Sequence, residues 1–398
     1  MSSKARLAVG LDLGSTSTRM LICAVEDDSI RFLGYGEAPC TGWNRGRLSD
    51  QAALTESIRF AMHEAERRSG VSPETVVVGV GGPSVTGINS RGLYEFGRKR
   101  QIENDDLRYA VELAARVRLE DDKMVLQVCP QDFTLDGRAG FHNPRSMTCA
   151  RLEANVHVVT TSAQEHQGLL SAVHHAHLAV EESVFEGVAG AYAAVLPEDR
   201  ARGVCLVDIG AQSTQIVIYD GDALLQATTL PIAGDHFTRD ISWILKVNYD
   251  DAEHLKREYG WALTGLTSDN SLIELPSPEG RAPRETARST INEILEARAE
   301  ELLGHVYEEI RRAGMEQSLL EGVVLTGGGA LLNGMCDVAE RVLNCQVRNG
   351  LSVGIEDWPE SLDSPAWTVA AGLTMYSGRL KLKGEWKRNV GSLAGMLR

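Results

Sequence analysis

The chain has 398 residues, 43% of them hydrophobic, with 39 glycines and a net charge of −15. That length exceeds one ordinary domain, and the apolar content fills two cores or more, which excludes a disordered or fibrous protein. The acidic balance excludes a general nucleic-acid binder, because phosphate is repelled.

In chain order, apolar patterning predicts strands at residues 7–13, 17–25, 30–37 and 75–80, with a helix at 50–69 whose stripe is Leu54, Ile58, Ala61 and Ala65, ended by Gly70. Gly81-Gly82-Pro83 breaks the pattern. The next 80 or so residues carry a helix at 105–119 (Leu107, Ala110, Val111, Ala114, Val117) and strand-like runs at 124–128 and 153–160, the pattern of a small α+β insertion with its own core. A helix at 162–175, a strand at 179–184 and a helix at 188–195 follow. Residues 234–314 read as mostly helical, with a long amphipathic helix striped by Ile291, Leu295, Leu302, Val306 and Ile310. Residues 264–283 read as loops and short strands. The final core helix is expected at 364–377, where small residues suit tight packing on another helix.

An internal repeat organises these elements. GLDLGSTSTRMLI at 10–22 recurs as LVDIGAQSTQIVI at 206–218, a constant offset of 196. In each copy an apolar run ends in Asp, a Gly-containing polar bend follows and a second apolar run resumes, which predicts two similar β-hairpins in two duplicated domains. A third glycine cluster, VVLTGGGA at 323–330, runs from a buried-type strand toward a helical pattern. Glycines there let backbone N–H groups approach an anion.

Two matched hairpins and a third loop predict a nucleotide held between the domains, since a phosphate clamp needs a cradle from each side. Asp12 and Asp208 are candidate oxygen ligands for Mg²⁺, directly or through its waters. Ser15, Thr16, Ser213 and Thr214 offer donors to phosphate, and Gly14 and Gly210 permit close approach. His174, His175 and His177 lack a carboxylate or thiol at ligand spacing and are not read as a metal site. Seven cysteines, odd in number and without C-x-x-C, predict buried free thiols. No run approaches the roughly 18 to 20 apolar residues that span a bilayer, and the start lacks a signal core, so a cytosolic protein is expected.

The hairpins, the Gly-Gly-Gly loop and the helices at 187–192 and 366–376 fall in the order of the actin, Hsp70 and hexokinase superfamily. Within it, LPIAGDHFTRDISWIL, DAEHLKREYG and VVLTGGGALLNG resemble the FtsA family of bacterial cell-division proteins over essentially the whole chain. The resemblance implies an α/β, two-domain actin-like ATPase fold, built on duplicated ribonuclease-H-like domains with a subdomain 1C insertion. It divides the chain into 1–83 and 162–197 (1A), 84–161 (1C), 198–236 and 315–364 (2A), 237–314 (2B), 365–378 (closing helix) and 379–398 (tail).

It further implies an ATP- and Mg²⁺-binding adaptor, at most a weak ATPase. Such an adaptor polymerises, lies as a peripheral protein on the inner face of the cytoplasmic membrane, binds the C-terminal tail of FtsZ and recruits later division membrane proteins. By motif match, Glu253 and Lys256 reach the ribose and base, Gly327, Gly328 and Gly329 line the adenosine side, and Arg284, Glu296 and Arg298 are candidates for the FtsZ-tail surface. No residue is assigned as general base. The alternatives are a PilM-like pilus-assembly adaptor and a small-molecule kinase of the same fold.

Two departures stand out. Where the family reads D-I-G-G-G-T, this chain has Asp208-Ile-Gly-Ala-Gln-Ser-Thr214, which puts Gln212 near the phosphates to orient or obstruct a water. The C-terminal linker is also short. Trp386, Val390, Leu393 and Leu397 nevertheless keep helical spacing in a tail, residues 379–398, that carries six Lys or Arg against Glu385, a net +5. The pattern predicts a weak amphipathic anchor for anionic membrane.

Overall fold

The computed structural model describes residues 6–26, 29–266, 271–276 and 284–382. β1 (Arg6–Leu13), β2 (Ser17–Val25) and β3 (Ile30–Pro39) form an antiparallel meander, followed by the short hairpin β4 (Trp43–Asn44) and β5 (Arg47–Leu48). Helix α1 (Gln51–Ser69) begins where Asp50 caps the Ala53 N–H at 3.0 Å and ends at Gly70, whose φ of +71° suits a left-handed cap. β6 (Thr75–Val80) joins β1 in parallel.

The chain then makes β7 (Thr86–Gln101), α2 (Asn104–Ala115), β8 (Lys123–Leu135), β9 (Arg138–Phe141) and β10 (Thr148–Ser162), and returns through α3 (Ala163–His175), β11 (Ala179–Phe185), α4 (Glu186–Ala194) and α5 (Pro197–Ala201). The second hairpin is β12 (Val204–Ile209) and β13 (Thr214–Asp220), extended by β14 (Ala223–Leu230). α6 (Gly234–Leu245), α7 (Tyr249–Tyr259), β15 (Leu272–Leu275), β16 (Arg284–Ala287) and α8 (Arg288–Arg312) come next, then β17 (Val323–Thr326), α9 (Met335–Leu343), β18 (Val347–Asn349) and α10 (Thr368–Leu382).

Two sheets organise these parts. The first, in order β11-β6-β1-β2-β3, belongs to one lobe; the second runs β18-β17-β12-β13-β14-β7-β10-β8-β9 and carries the second lobe and the segment 86–162 on one continuous surface. That segment has its own core, where Leu107, Ala110, Val111 and Ala114 of α2 pack on Leu152, Ala154 and Val156 of β10. In the second lobe, Ile291, Leu295, Leu302, Val306 and Ile310 of α8 are all buried, as their spacing predicts.

Several boundaries differ from the sequence expectation. α2 stops at Ala115, because Arg116 leaves the helical region (ψ 60°) as the chain turns toward β8. The strand-like runs lengthen to 13 and 15 residues, and the 16-residue β7 gave no apolar signal because most of its side chains face solvent. The last helix starts four residues later than expected, after a 3₁₀ turn at Pro365–Trp367, and continues to Leu382.

That extension alters the tail. Arg379 and Lys381 lie in α10, where Arg379 donates to the Tyr192 hydroxyl at 2.7 Å and Lys381 pairs with Glu181. Beyond the helix the sequence keeps four Lys or Arg against Glu385. Trp386, Val390, Leu393 and Leu397 lie outside the described residues.

α10 closes the first lobe by packing on α4 and β1, and the contact depends on an absent side chain. A Cβ built on Gly372 would stand 1.7 Å from Ala189 O. Gly372→Ala should therefore force the helices apart and lower stability by about 3 kcal/mol. Gly304, in the middle of α8, meets nothing within 4 Å, so Gly304→Ala should raise stability by about 0.5–1 kcal/mol. Urea denaturation of the two variants checks both signs.

Candidate functional site: a carboxylate-lined cleft between the two hairpins

The bends of both hairpins open on one cavity of about 560 Å³, within the roughly 300–1,000 Å³ of small-molecule sites. Asp12 and Asp208 line it near the ends of β1 and β12, at 6% exposure each. A third carboxylate, Glu186 at the start of α4, lines the same space. Sequence reasoning passed over it, because one acid opening a helix reads as an ordinary first-turn residue.

Burial pushes all three up. Asp12 rises to about 6 despite Arg19, and Asp208 to about 7, with the charge of Asp12 adding to its desolvation. Glu186 lies well above its ordinary range, for burial first and then for repulsion from Asp12 and Asp208. The counter-charge is thin: Arg19 stands 3.8 Å from Asp12 but is shared with Glu37 at 2.9 Å.

Gln215, opposite Asp208 in the hairpin register, donates to Glu186 at 2.6 Å and leaves its own Oε1 buried without a partner. Three desolvated carboxylates and an orphaned amide oxygen are hard oxygen donors of the kind magnesium takes. Among the described residues no three acidic, His or Cys side chains converge at direct ligand distance. The set therefore suits an ion that keeps its waters and is held through them by Asp12, Asp208, Glu186 and Gln215.

Gly14, Ser15, Thr16, Gly210 and Ser213 all line the cavity, at its two bends. The glycines are needed first by the bends themselves: an added Cβ would lie 2.7 Å from Ser17 O at Gly14 and 2.9 Å from Ser213 O at Gly210. Thr214 does not line the cavity. It is fully buried, and its hydroxyl donates to Ile232 O at 2.7 Å, as the β-strand alternation turns it inward. Gln212 is tied across the cleft, its Oε1 accepting the Gly46 N–H at 2.8 Å, so this oxygen holds the β4–β5 hairpin.

On the opposite wall lie Gly327, Gly328, Gly329, Glu253 and Lys256. Gly327 (φ +81°) and Gly329 are required by contact with Ile209, whereas a Cβ on Gly328 meets open space. Glu253 and Lys256 pair at 2.6 Å, with Thr238 bridging them. Burial works to raise the Glu253 carboxyl, but Lys256, Thr238 and Arg257 outweigh it and hold it below its ordinary value.

Arg284, Glu296 and Arg298 are not in the cavity and are engaged within the chain. Arg284 donates to Leu245 O at 2.9 Å, Glu296 pairs with Arg341 at 2.8 Å, and Arg298 pairs with Asp240 at 2.6 Å.

Family models described as "Cell division protein FtsA" and "SHS2 domain inserted in FTSA" match residues 205–372 and 82–160. Cell division protein FtsA of Pseudomonas aeruginosa is 32% identical over 372 residues, covering 93% of this chain and 89% of that protein. The chain belongs to the FtsA family. FtsA of Escherichia coli K12 is 31% identical, with 96% of this chain and 92% of that protein covered. FtsA of Borreliella burgdorferi is 33% identical, with 93% and 90% covered.

Among solved structures, the PilM–PilN type IV pilus biogenesis complex is similar at a TM-score of 0.66 and 19% identity, covering 93% of this chain and 98% of that one. MreB5 of Spiroplasma citri bound to ADP is similar at 0.59 and 14%, covering 97% and 100%. The fold is thus that of the actin-like ATPases, with the SHS2 insertion of the FtsA family.

Because Gly328 faces open cavity, Gly328→Asp should fold normally. It adds a further carboxylate to the cleft and should weaken nucleotide binding by about a hundredfold or more. Calorimetric titration with ATP and Mg²⁺ checks this, and unchanged affinity would show that the cavity is not the nucleotide site.

Proposed function

We propose that this FtsA-family chain binds ATP with Mg²⁺ in the cleft, polymerises, and ties the FtsZ ring to the inner face of the cytoplasmic membrane, recruiting later division membrane proteins. The observation that carries this reading is the pair of hairpins whose buried carboxylates line one cavity in a chain related to FtsA over nearly its full length. MreB5 of Spiroplasma citri, similar in fold, has been solved with ADP and with AMPPNP. In this reading Ser15, Thr16 and Ser213 meet phosphate, Glu253 and Lys256 meet the ribose and base, and Gly327, Gly328 and Gly329 line the adenosine side.

A magnesium ion held through its waters by Asp12, Asp208 and Glu186 would supply the positive charge that keeps these carboxylates ionised. Glu186, oriented by Gln215, is then the group available to take a proton from a water, which supports at most a slow hydrolysis. Residues 84–161 make subunit contacts in place of catalysis, so a chain lacking them should bind ATP and fail to form filaments by electron microscopy.

For the FtsZ tail, the favoured surface is the end of α6. Trp243 is 74% exposed, Ile244 is exposed beside it, Lys246 lies over the Trp243 ring, and Arg284 grips the adjoining carbonyls. Arg298 and Glu296 then act by fixing α8 under this surface. Two large apolar side chains exposed side by side suit a docking anchor. Trp243→Ala should weaken binding of an FtsZ C-terminal peptide about tenfold or more by fluorescence anisotropy, with ATP affinity unchanged.

No helix among the described residues is long and apolar enough to cross a membrane. Membrane contact in this reading comes from Trp386, Val390, Leu393 and Leu397, at about 1–2 kcal/mol each for partial burial. The four basic residues beyond α10 add about 1 kcal/mol apiece on anionic lipid. The monomer should bind weakly and the polymer firmly, as many tails act together. Leu393→Glu should release the protein from acidic vesicles in co-sedimentation while ATP binding stays intact. The fold shared with PilM leaves a pilus adaptor as the alternative reading, which a pull-down with FtsZ against a PilN-type peptide separates.

A further inference from the structure

β14 and β7 share a single backbone pair, Thr228 with Thr86. Beyond it, side chains of the inserted segment take over the backbone groups of β14. The fully buried His157 ring accepts the Ala227 N–H at Nε2, 3.0 Å away, and its Nδ1–H donates to Asn89 Oδ1 at 2.7 Å. Gln131 Nε2 donates to Leu224 O at 2.8 Å and to Asn89 Oδ1 at 3.1 Å, while Asn89 Nδ2 donates to Leu225 O at 3.4 Å.

One tautomer of His157 satisfies both of its bonds, and burial pushes the ring down to about 4, so it is neutral at physiological pH. Gly87 leaves the space: an added Cβ would stand 2.1 Å from His157 Nε2 and 2.5 Å from Ala227 O.

The same segment is fastened to the other lobe. Its chain enters from β6 and leaves into α3, and Gln127 accepts the Phe185 N–H at 3.1 Å. β14, in contrast, extends the sheet that carries Asp208. The insertion is covalently part of one lobe and hydrogen-bonded to the other. A change of angle between the lobes must either swing the insertion or break these bonds.

We propose that His157, Asn89 and Gln131 form a joint through which nucleotide in the cleft sets the orientation of the inserted domain. This rests on the ATP reading above. The three are positioning residues acting through β14, and their effect is on the response to nucleotide, not on affinity.

The test is hydrogen–deuterium exchange of the full chain with and without ATP and Mg²⁺. Replacing His157 removes a fully buried ring, so the variant of choice is Asn89→Ala with Gln131→Ala, where Asn89 is exposed and Gln131 half-buried. In wild type, nucleotide should slow exchange about threefold or more at both hairpins and also in β7 and β10. In the double variant, affinity and hairpin protection should stay within about twofold of wild type while the response of β7 and β10 is lost. A response that persists there, or a wild type whose hairpins respond while its insertion does not, overturns the joint. A wild type in which neither responds overturns the ATP reading, and the joint with it.

Discussion

Three buried carboxylates line one cleft beside Arg19, which is shared with Glu37, and much of the architecture follows from holding them there. Charge repulsion and desolvation both oppose this placement, so neither Asp12, Asp208 nor Glu186 is where stability alone would put an acid. Each is fixed from behind. Thr326 donates to Asp208 at 3.1 Å, Gln215 holds Glu186, and Arg19 flanks Asp12 while its guanidinium lies 5.3 Å from the Trp367 ring. Gly81 makes the arrangement possible, since a Cβ there would stand 2.0 Å from Glu186 Oε2. A site that is costly when empty is one that a cation relieves, which ties the geometry to ligand binding.

The same economy of space recurs at other close contacts. The helices α4 and α10 meet at Gly372, β14 approaches the insertion at Gly87, and Gly46 receives Gln212 from across the cleft. The Gln212 side chain in the second bend then has a mechanical sense, because it reaches the opposite hairpin.

The repeat at 10–22 and 206–218 was legible because each hairpin combines a buried apolar run with a charged terminus, a contrast that a single sequence displays. Asp12, Gly14, Ser15, Thr16, Asp208, Gly210 and Ser213, which line the two bends of the cleft, followed from it. Thr214 was misread because strand alternation, not motif position, decides which hydroxyl points inward, and its partner Ile232 lies 18 residues on. Glu186 and Gln215 were missed because their meaning is tertiary: neither is unusual until folding sets one against the other. β7 was invisible for a related reason, its solvent-facing side chains carrying little period. The last helix was cut short because Arg379 and Lys381 look like a basic tail until Tyr192 and Glu181 are beside them.

In the proposed reading Asp208 is a carboxylate kept at a cost for a bound cation, and stability as a function of pH measures that cost directly. A carboxyl raised from 3.8 to about 7 binds its proton in the folded state more tightly than in the unfolded one. Its destabilisation is therefore absent at low pH and grows as pH rises through 7. His157, His166 and His236, all pushed down by burial, act with the opposite sign, so the difference between wild type and Asp208→Asn cancels the histidines and reads Asp208 together with its repulsion of Asp12 and Glu186. Urea unfolding should be measured from pH 5 to 8 for both proteins, without nucleotide and with Mg²⁺ and ATP. Without ligand, the variant should gain on wild type as pH rises and be the more stable at pH 8. With ligand, wild type alone should be stabilised. A variant that is less stable than wild type at every pH without ligand, or that gains as much from Mg²⁺ and ATP, would contradict the account.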